Sequence, residues 1–344
     1  MAMCPPDTSP FMYICPQPFQ HPKMNTRMNA IRQKLKPWML PIAMLLGALL
    51  HNYIGMVAFL SKYLIFIMLL ITYCRLNIRE FKVGSYIWWL LAVQIPGALA
   101  AWLLLLPVNP IAAQGAFICI FCPTATAAPV ITGMLGGKVS RVATYSLFSN
   151  VFVAFLAPAL LTWIATDAPA SGAEHSFLTS MWTISYTVLP LILGPLAVAL
   201  LLERFTPSTH RAIAQHQGLS FYIWAFSLII VVGNSVSFIL KEPASCVPEI
   251  LILCAVSLIV CALQFGIGRI IGKRHGDAIS GAQSLGQKNT VLAIWLALTY
   301  MNPLISVAPA AYVAWHNTIN SIQIYLHERS RLAPDNRPDN AKRT

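Results

Sequence analysis

The chain has 344 residues, of which 57% are hydrophobic and only 10% are charged, and its formal net charge is +12 at pH 7. Soluble domains carry about 25% charged residues, so the composition excludes the soluble globular classes and predicts a polytopic membrane protein. The positive charge does not indicate a nucleic-acid partner, because the basic residues cluster in loops and tails, as membrane topology demands.

The cysteines do not indicate a metal site. Cys119 and Cys122 stand three positions apart, but no second pair and no histidine lies near them in the sequence. We therefore expect neither a metal nor a cofactor.

Residues 1–37 are polar, Pro-rich and then basic, without a continuous apolar core, so we expect a disordered tail rather than a cleavable signal peptide. Beyond this tail, hydrophobic segments of membrane-spanning length recur along the chain. We place ten of them near residues 38–55, 57–74, 84–106, 110–135, 142–165, 178–202, 217–240, 248–272, 277–302 and 305–326. The pattern predicts an all-α polytopic membrane protein with ten transmembrane segments.

The basic residues indicate how these segments are oriented. If the amino terminus is cytoplasmic, nearly all of the 23 Lys and Arg fall in tails and loops on the cytoplasmic side. Lys62 and Lys241 fall on the opposite side, which also receives the acidic loop 167–174, whereas Lys288 lies inside a segment. This predicts an integral protein of the plasma (inner) membrane with both termini cytoplasmic.

Ten segments divide into two units of five, 38–165 and 178–326, followed by a cytoplasmic tail, 327–344. An odd-numbered unit enters the membrane with opposite topology the second time, which is the inverted-repeat arrangement of many secondary transporters.

Polar interruptions occur in the fourth segment of each unit. Segment 4 contains Cys122-Pro123-Thr124-Ala125-Thr126-Ala127-Ala128-Pro129, and segment 9 contains Ser284-Leu285-Gly286-Gln287-Lys288-Asn289-Thr290. Proline removes a helix donor, so the two prolines of segment 4 either kink a structural helix or break it. Broken helices at corresponding positions of two repeats are typical of a transporter binding site.

Lys288 is the basic residue that cannot be moved to a membrane edge. A lysine at bilayer depth costs roughly 2.5–3.5 kcal/mol on insertion scales, so it needs a partner or an aqueous cavity. Gly286 lets the backbone leave the helix, which is tolerated at this depth where the backbone lines a cavity. Two interpretations remain open, a structural lysine bonded to neighbouring carbonyls and a transport site at an interrupted helix.

Buried polar groups must find partners in lipid. We therefore expect the polar residues of both interruptions and of segment 10 to line one water-accessible substrate cavity near mid-bilayer. These residues are Thr124, Thr126, Gln287, Lys288, Asn289 and Asn317.

Enzymatic motifs are sparse. The sequence has no phosphate-binding loop and no metalloprotease motif. Ser284 stands four residues before Lys288, which would place both on one helix face. An intramembrane serine–lysine enzyme is therefore an alternative, although we predict that the chain is not an enzyme.

The interrupted segments carry a family resemblance. Segment 4 of the bile acid:sodium symporter family has a Cys-Pro-Gly-Gly-Thr-Ala-Ser-Asn signature, and segment 9 has a Glu-x-Gly-Met-Gln-Asn pattern followed by Leu-Ala. The chain resembles them at residues 122–129 and 284–289, with Leu292-Ala293 following. Segment 10 of the family has a Pro-Ala-Ala and Trp-His-Asn pattern, which stands here at residues 309–311 and 315–317, and Leu189-Pro190-Leu191 matches a run in segment 6.

The resemblance covers roughly residues 38–328 and implies a fold and a mechanism. Members of the family have a core domain with crossed, broken helices 4 and 9 and a panel domain of segments 1, 2, 6 and 7, and substrate is carried between the two. The family's ion-binding positions correspond here to Gln94, Ser146, Asn150 and Ser284, and Thr126 matches the signature threonine.

Several departures from the family bear on its sodium sites. The Ser-Asn pair of segment 4 is Ala128-Pro129, the carboxylate position of segment 9 is Ser284, and the adjoining glutamine position is Lys288. Sodium is a hard cation that needs oxygen donors. Two positive charges about 4 Å apart repel by about 4 kcal/mol at an effective dielectric of 20. Sodium coupling is therefore disfavoured, and a proton is the alternative coupling ion.

The sequence thus predicts a secondary active or facilitative transporter of a small organic anion, in which Lys288 takes the place of sodium. The alternative is a receptor or structural membrane protein that shares the fold without transporting.

Overall fold

The computed structural model describes residues 39–75, 83–164, 177–215, 217–241 and 243–332. The predicted tail 1–37, the acidic loop 167–174 and most of the tail 327–344 lie outside these ranges. All regular secondary structure of the described residues is helical. The α-helices are α1 Met39–Leu49, α2 His51–Ile54, α3 Leu60–Cys74, α4 Ser85–Leu105, α5 Pro110–Phe121, α6 Ala128–Met134, α7 Val139–Ile164, α8 Phe177–Phe205, α9 Pro207–Gln215, α10 Gln217–Ile239, α11 Val247–Arg274, α12 Ala278–Gly286, α13 Thr290–Tyr300 and α14 Val307–Leu332.

Long apolar helices identify an integral membrane protein. Five helices of the described residues are long and apolar enough to cross a bilayer, and a sixth span arises if the pair His51–Val57 and Leu60–Cys74, bent by 72°, counts as one. Two shorter apolar helices, α5 and α13, have 12 and 11 residues. At about 1.5 Å per residue neither spans the roughly 30 Å hydrocarbon core alone. The all-α membrane class is confirmed, and the count of ten crossings stays a prediction.

Three boundaries differ from those expected. Segment 1 is interrupted at Leu50 and passes through a 3₁₀ turn, Gly55–Val57. The loop after segment 6 contains the amphipathic helix α9, whose short polar sequence gave no span signal. Helix α14 continues to Leu332, beyond the expected 305–326, because the charged residues that end its apolar run are good helix formers.

Both polar interruptions are breaks in the structure. Segment 4 is divided into α5 and α6 by residues 122–127, and segment 9 is divided into α12 and α13 by residues 287–289. Pro123 cannot donate a helical hydrogen bond, which explains why α5 ends at Phe121, two residues before it. The expectation of two broken helices therefore holds.

Glycine packing draws α12 against α11. A Cβ on Gly281 would lie 2.1 Å from the carbonyl oxygen of Gly268, and a Cβ on Gly272 would lie 2.4 Å from that of Asp277. Small residues allow membrane helices to approach at backbone distance. This contact holds the half-helix α12 in place, so that its carboxyl end, with Lys288 beyond it, points into the bundle.

The remaining long helices pack around this pair. Helix α11 also contacts α5 and α14, while α1 packs on α10 and α3 packs on both α8 and α10. The buried core between them is apolar, with Met68, Phe117, Leu161 and Leu253 among its members.

Candidate functional site

The two breaks cross in the interior and pair their backbones. Thr124 and Lys288 form an isolated antiparallel bridge. The backbone N–H of Ala125 donates to the Gln287 carbonyl oxygen at 3.0 Å, and that of Asn289 donates to the Pro123 carbonyl oxygen at 2.8 Å. Backbone groups that leave a helix inside a membrane need partners within the protein. Each break supplies hydrogen-bond partners for the backbone of the other.

Side chains from three directions satisfy the carboxyl end of α5. Because Pro123 has no N–H, the Cys119 carbonyl would lack a partner, and Gln264 Nε2 on α11 donates to it at 3.1 Å. Lys288 Nζ donates to the Ile120 carbonyl at 2.8 Å.

Gln94 Nε2 on α4 donates to the carbonyl oxygens of Phe121 and Cys122, at 2.8 and 3.2 Å. Side-chain donors from other segments thus satisfy the carbonyl oxygens that have no helical partner at the end of α5.

The carboxyl end of α12 is satisfied in a similar way. Thr124 Oγ1 donates to the Ser284 carbonyl oxygen at 2.7 Å, and the Tyr312 hydroxyl on α14 donates to that of Gly286 at 2.9 Å. Two half-helix carboxyl ends, each with partial negative charge, therefore meet at the crossing.

Lys288 lies at the centre of this arrangement and is 1% exposed. Its positive charge stands at the negative end of the α5 dipole, where a cation is favoured. The partner of its ammonium is a backbone carbonyl, as one of the two sequence interpretations expected. That contact leaves the transport interpretation untested.

Both the nitrogen and the oxygen of the Gln94 side-chain amide form hydrogen bonds. The Tyr145 hydroxyl and Ser149 Oγ donate to Gln94 Oε1 at 2.5 and 2.8 Å, while its Nε2 is occupied by the α5 carbonyls. The amide oxygen of this expected ion ligand is therefore already engaged by protein donors. Ser146 and Asn150 lie one turn apart on α7, where Asn150 Nδ2 donates to the Ser146 carbonyl at 2.7 Å. Asn150 Oδ1 has no hydrogen-bond partner within the described part of the chain.

The expected substrate residues are brought together in part. Thr124, Gln287, Lys288 and Asn289 meet at the crossing and are between 0 and 3% exposed, so bulk solvent does not reach them in this conformation. Thr126 is half-buried in the break. Asn317 Nδ2 donates to the Val313 carbonyl of its own helix at 2.8 Å. The crossing is closed where a water-accessible cavity was expected, because the two broken backbones satisfy one another.

Ser284 and Lys288 do not share a helix face. Helix α12 ends at Gly286, between them. The Ser284 hydroxyl lies 3.2 Å from the Tyr86 hydroxyl, whereas Lys288 bonds to Ile120. The four-residue interval that suggested a dyad therefore spans a helix end and not a helical turn.

Two buried hydrogen-bond donors lie at the amino end of α13, and only Asn289 was among the residues expected at the site. Asn289 Oδ1 caps the helix by accepting from the Leu292 N–H at 3.2 Å. Asn289 Nδ2 and Thr290 Oγ1 are buried without a partner among the described residues. Thr290 is the last residue of the polar interruption in segment 9 but was not among the expected substrate residues, and its polar side chain within that interruption was the available signal.

A second set of polar residues was also missed. Gln283 Nε2 donates to Asn320 Oδ1 at 3.2 Å and to Gln323 Oε1 at 2.9 Å, and its Oε1 accepts from Gln287 Nε2 at 3.1 Å. Four-residue spacing of polar side chains inside the tenth apolar segment, at Tyr312, His316 and Asn320, was the signal that could have revealed it.

The turn between α11 and α12 is fixed by Asp277. Its carboxylate accepts from the Ser280 N–H at 3.0 Å and from the Lys138 N–H at 2.8 Å. Partial burial acts to raise the pKa of the Asp277 carboxyl, but the hydrogen bonds from Ser280 and Lys138, with the charge of Arg141, outweigh it and lower the pKa below its usual value.

A comparison with models of known protein families and a search of curated proteins find no match to the chain.

Proposed function

We propose that the chain is a secondary transporter of a small organic anion and that Lys288 serves as a tethered cation at the crossing of its broken helices. The observation that carries the proposal is the hydrogen bond from Lys288 Nζ to the Ile120 carbonyl oxygen. A fixed ammonium neutralises the carboxyl end of α5 without a dissociable ion. This supports the inference, drawn first from the family resemblance, that a bound sodium has been replaced.

The amino end of α13 supports an anionic substrate. Asn289 Nδ2 and Thr290 Oγ1 are buried donors that find no partner in the part of the chain that the structure describes, and they stand where the helix dipole is positive. An anion that reached this end after the crossing opened would receive both hydrogen bonds. The charge of Lys288, the neighbouring residue in the break, would add electrostatic attraction.

The packing is consistent with two moving parts. Helix α10 contacts α1 and α3, and α3 contacts α8, while α11 contacts α5, α12 and α14. In the proposal these two sets take the parts of the panel and the core that the resemblance to bile acid:sodium symporters implies. Relative motion of the two sets would open the crossing on one side of the membrane and then on the other.

Uptake by the purified protein in liposomes tests the proposal. Membrane-impermeant anions such as taurocholate and 2-oxoglutarate are offered with sodium and with potassium, across a range of pH. We expect uptake of at least one anion at the same rate in both salts. Strong stimulation by sodium contradicts the tethered-cation role, and a response to pH selects the proton-linked version over the fixed-charge version.

The closed crossing favours one second candidate. Because the half-helix ends are bonded to each other, the same arrangement would serve a receptor or structural protein that never opens. Absence of uptake for every anion, in a protein that binds one of them from solution, would favour that candidate.

A further inference from the structure

One face of α14 carries polar side chains along most of its buried length. Tyr312, His316 and Asn320 follow at four-residue intervals and therefore lie on one side of the helix. The Tyr312 hydroxyl donates to the Gly286 carbonyl, and Asn320 Oδ1 accepts from Gln283 Nε2. Tyr312 and Asn320 both reach α12, and the four-residue spacing places His316 on the same side of α14 as these two residues.

Three polar atoms on this face lack partners. His316 is 0% exposed, and neither Nδ1 nor Nε2 of its ring has a hydrogen-bond partner among the described residues. Asn320 Nδ2, one turn further along, is likewise buried without an acceptor. Buried polar groups in folded proteins are almost always satisfied by protein atoms or by internal water. A row of internal waters would satisfy these donors and acceptors, which lie on consecutive turns of one helix face.

This polar seam, composed of Gln283, His316, Asn320 and Gln323, has two distinct ends. At one end Gln287 donates to Gln283 Oε1, and Lys288 is the next residue in the chain. At the other end Gln323 is half-buried. His327, one turn later, lies 3.7 Å by its Cε1 from the position of a Cβ on Gly136, so the seam points towards the turn between α6 and α7.

An imidazole with both nitrogens available is suited to passing a proton. The ring accepts a proton from water on its unprotonated nitrogen and releases the proton already carried by the other nitrogen to a second water. The ring charge is thereby restored, and the tautomer is exchanged. Amide side chains do not relay protons themselves, but Gln283 and Asn320 would orient the waters on either side.

The titratable groups around this part of α14 are few. Tyr312 on α14 stands edge-on to the His316 ring, with centroids 5.6 Å apart. Cys261 on α11 and Cys119 on α5 lie close enough to interact with Tyr312, and Lys288 interacts with Cys119. Apart from His316, the basic group among these residues is Lys288. In the proton-linked version Lys288 releases its proton in each cycle, and its neutral amine is then the proton acceptor at the end of the seam.

We propose that the polar seam holds a chain of internal waters and conducts protons between Lys288 and the membrane face at which α12 begins, with His316 as the relay. The proposal rests on the proton-linked version of the proposed function. In this proposal the proton is the coupling ion, and it follows a path that is separate from the amino end of α13, where the anion binds.

Hydration of His316 is measured first, because it does not require transport. Protein labelled with ¹⁵N-histidine is placed in lipid nanodiscs, and the ring signals of His316 are identified by their loss in His316→Gln. We expect polarisation transfer from water to a His316 ring nitrogen, and we expect Asn320→Ala to weaken it. A His316 ring without water contact in the native protein overturns the seam, whatever the outcome for anion uptake.

Proton coupling is measured second, in liposomes that contain a trapped pH indicator and are clamped at zero potential. Taurocholate and 2-oxoglutarate are the probes. We expect an anion-evoked pH change that falls at least tenfold in His316→Gln while anion binding is retained. The matched control is His210→Gln, at a histidine on α9 that lines a different, peripheral pocket, and its pH change should equal that of the native protein.

The outcomes separate the two proposals. Anion uptake with an undiminished pH change in His316→Gln overturns the relay and leaves the proposed function standing. Anion uptake without any pH change also overturns it. If no anion is transported, the proposed function fails, and the water contact of His316 alone decides whether the seam is hydrated.

Discussion

Lys288 Nζ donates a hydrogen bond at 2.8 Å to the carbonyl oxygen of Ile120, 168 positions earlier in the chain. In a continuous helix that carbonyl would accept from the N–H of Thr124, but Thr124 has left the helix and pairs with Lys288 itself. Lys288 thus pairs with Thr124, the residue that would bond to Ile120 in a continuous helix, and its own side chain bonds to the Ile120 carbonyl instead. The bond joins the two halves of the sequence at the point where both are interrupted.

Lys288→Met should separate anion binding from folding. The substitution removes the ammonium that we expect to attract the anion, so binding should be lost. Leaving the Ile120 carbonyl unpaired costs about 1–3 kcal/mol, whereas removing a buried charge offsets part of that cost, so the protein should still fold. Binding is measured by calorimetry, and folding by size exclusion and thermal denaturation in detergent.

The control for that variant is Lys62→Met, which removes an exposed lysine that stacks on Tyr63 at 5.2 Å. Its anion binding should match the native protein. Unchanged binding by Lys288→Met would remove the tethered cation from the mechanism.

Gln94→Leu should destabilise the protein more than Gln94→Glu. Leucine leaves the carbonyls of Phe121 and Cys122 without donors and the hydroxyls of Tyr145 and Ser149 without an acceptor. At about 1–3 kcal/mol for each unsatisfied group, the loss should reach several kcal/mol. Glutamate retains the acceptor and loses the two donated bonds.

The two Gln94 variants are compared by thermal denaturation in one detergent. Equal melting temperatures for the leucine variant and the native protein would show that the amide does not hold the end of α5.

Gly268→Ala should displace α12 from α11. A Cβ at this position would lie 2.3 Å from the Gly281 carbonyl oxygen, which is backbone and cannot turn aside. The alanine therefore forces the helices apart and should lower the melting temperature and weaken anion binding together.

The matched control for that variant is Gly266→Ala on the same helix, where a Cβ meets nothing within 4 Å. Helix propensity favours alanine there by about 0.5–1 kcal/mol. Similar effects of both substitutions on the melting temperature would contradict the close approach of the two helices.

Asp277→Ala should loosen the start of α12, and Asp277→Asn should do so less. Asparagine is a good helix cap, so it keeps the bond from the Ser280 N–H but loses the carboxylate that Lys138 contacts. Because the pKa of Asp277 is lowered in the folded protein, its contribution is present at neutral pH and is lost as the pH falls through the acidic range below its usual value.

Thermal denaturation of Asp277→Ala across the acidic range is the measurement. The difference in melting temperature from the native protein should shrink as the pH falls, and a constant difference would assign the effect to the cap geometry alone.

Impermeant thiol labelling of intact cells should report the orientation. In a background without native cysteines, a cysteine at Ser171 should be labelled from outside, because that loop is acidic and the distribution of basic residues predicts that the basic loops face the cytoplasm. Cysteines at Lys138 and Arg274 should be labelled only after the membrane is permeabilised. The reverse pattern would invert the topology and place both termini outside.

The sequence alone determined the class of the protein and the position of its two breaks. Apolar runs and basic loops follow from the bilayer, which acts on each segment separately, and Pro123 and Gly286 act on their own backbones. The isolated lysine at 288 was visible for the same reason, since a charge inside an apolar run is conspicuous without any knowledge of its neighbours.

Only the tertiary structure decided which groups form hydrogen bonds with the two breaks. Ile120, Gln264 and Tyr312 are ordinary residues of apolar helices in the sequence, and each becomes a partner of a break because helix packing brings it there. The same packing closed the crossing to bulk solvent and left the His316 ring without a hydrogen-bond partner among the described residues. Hydrogen bonds between residues far apart in the chain depend on how helices approach. The spacing of Gly268 and Gly272 permits a close approach, but the sequence does not show which helix will occupy it.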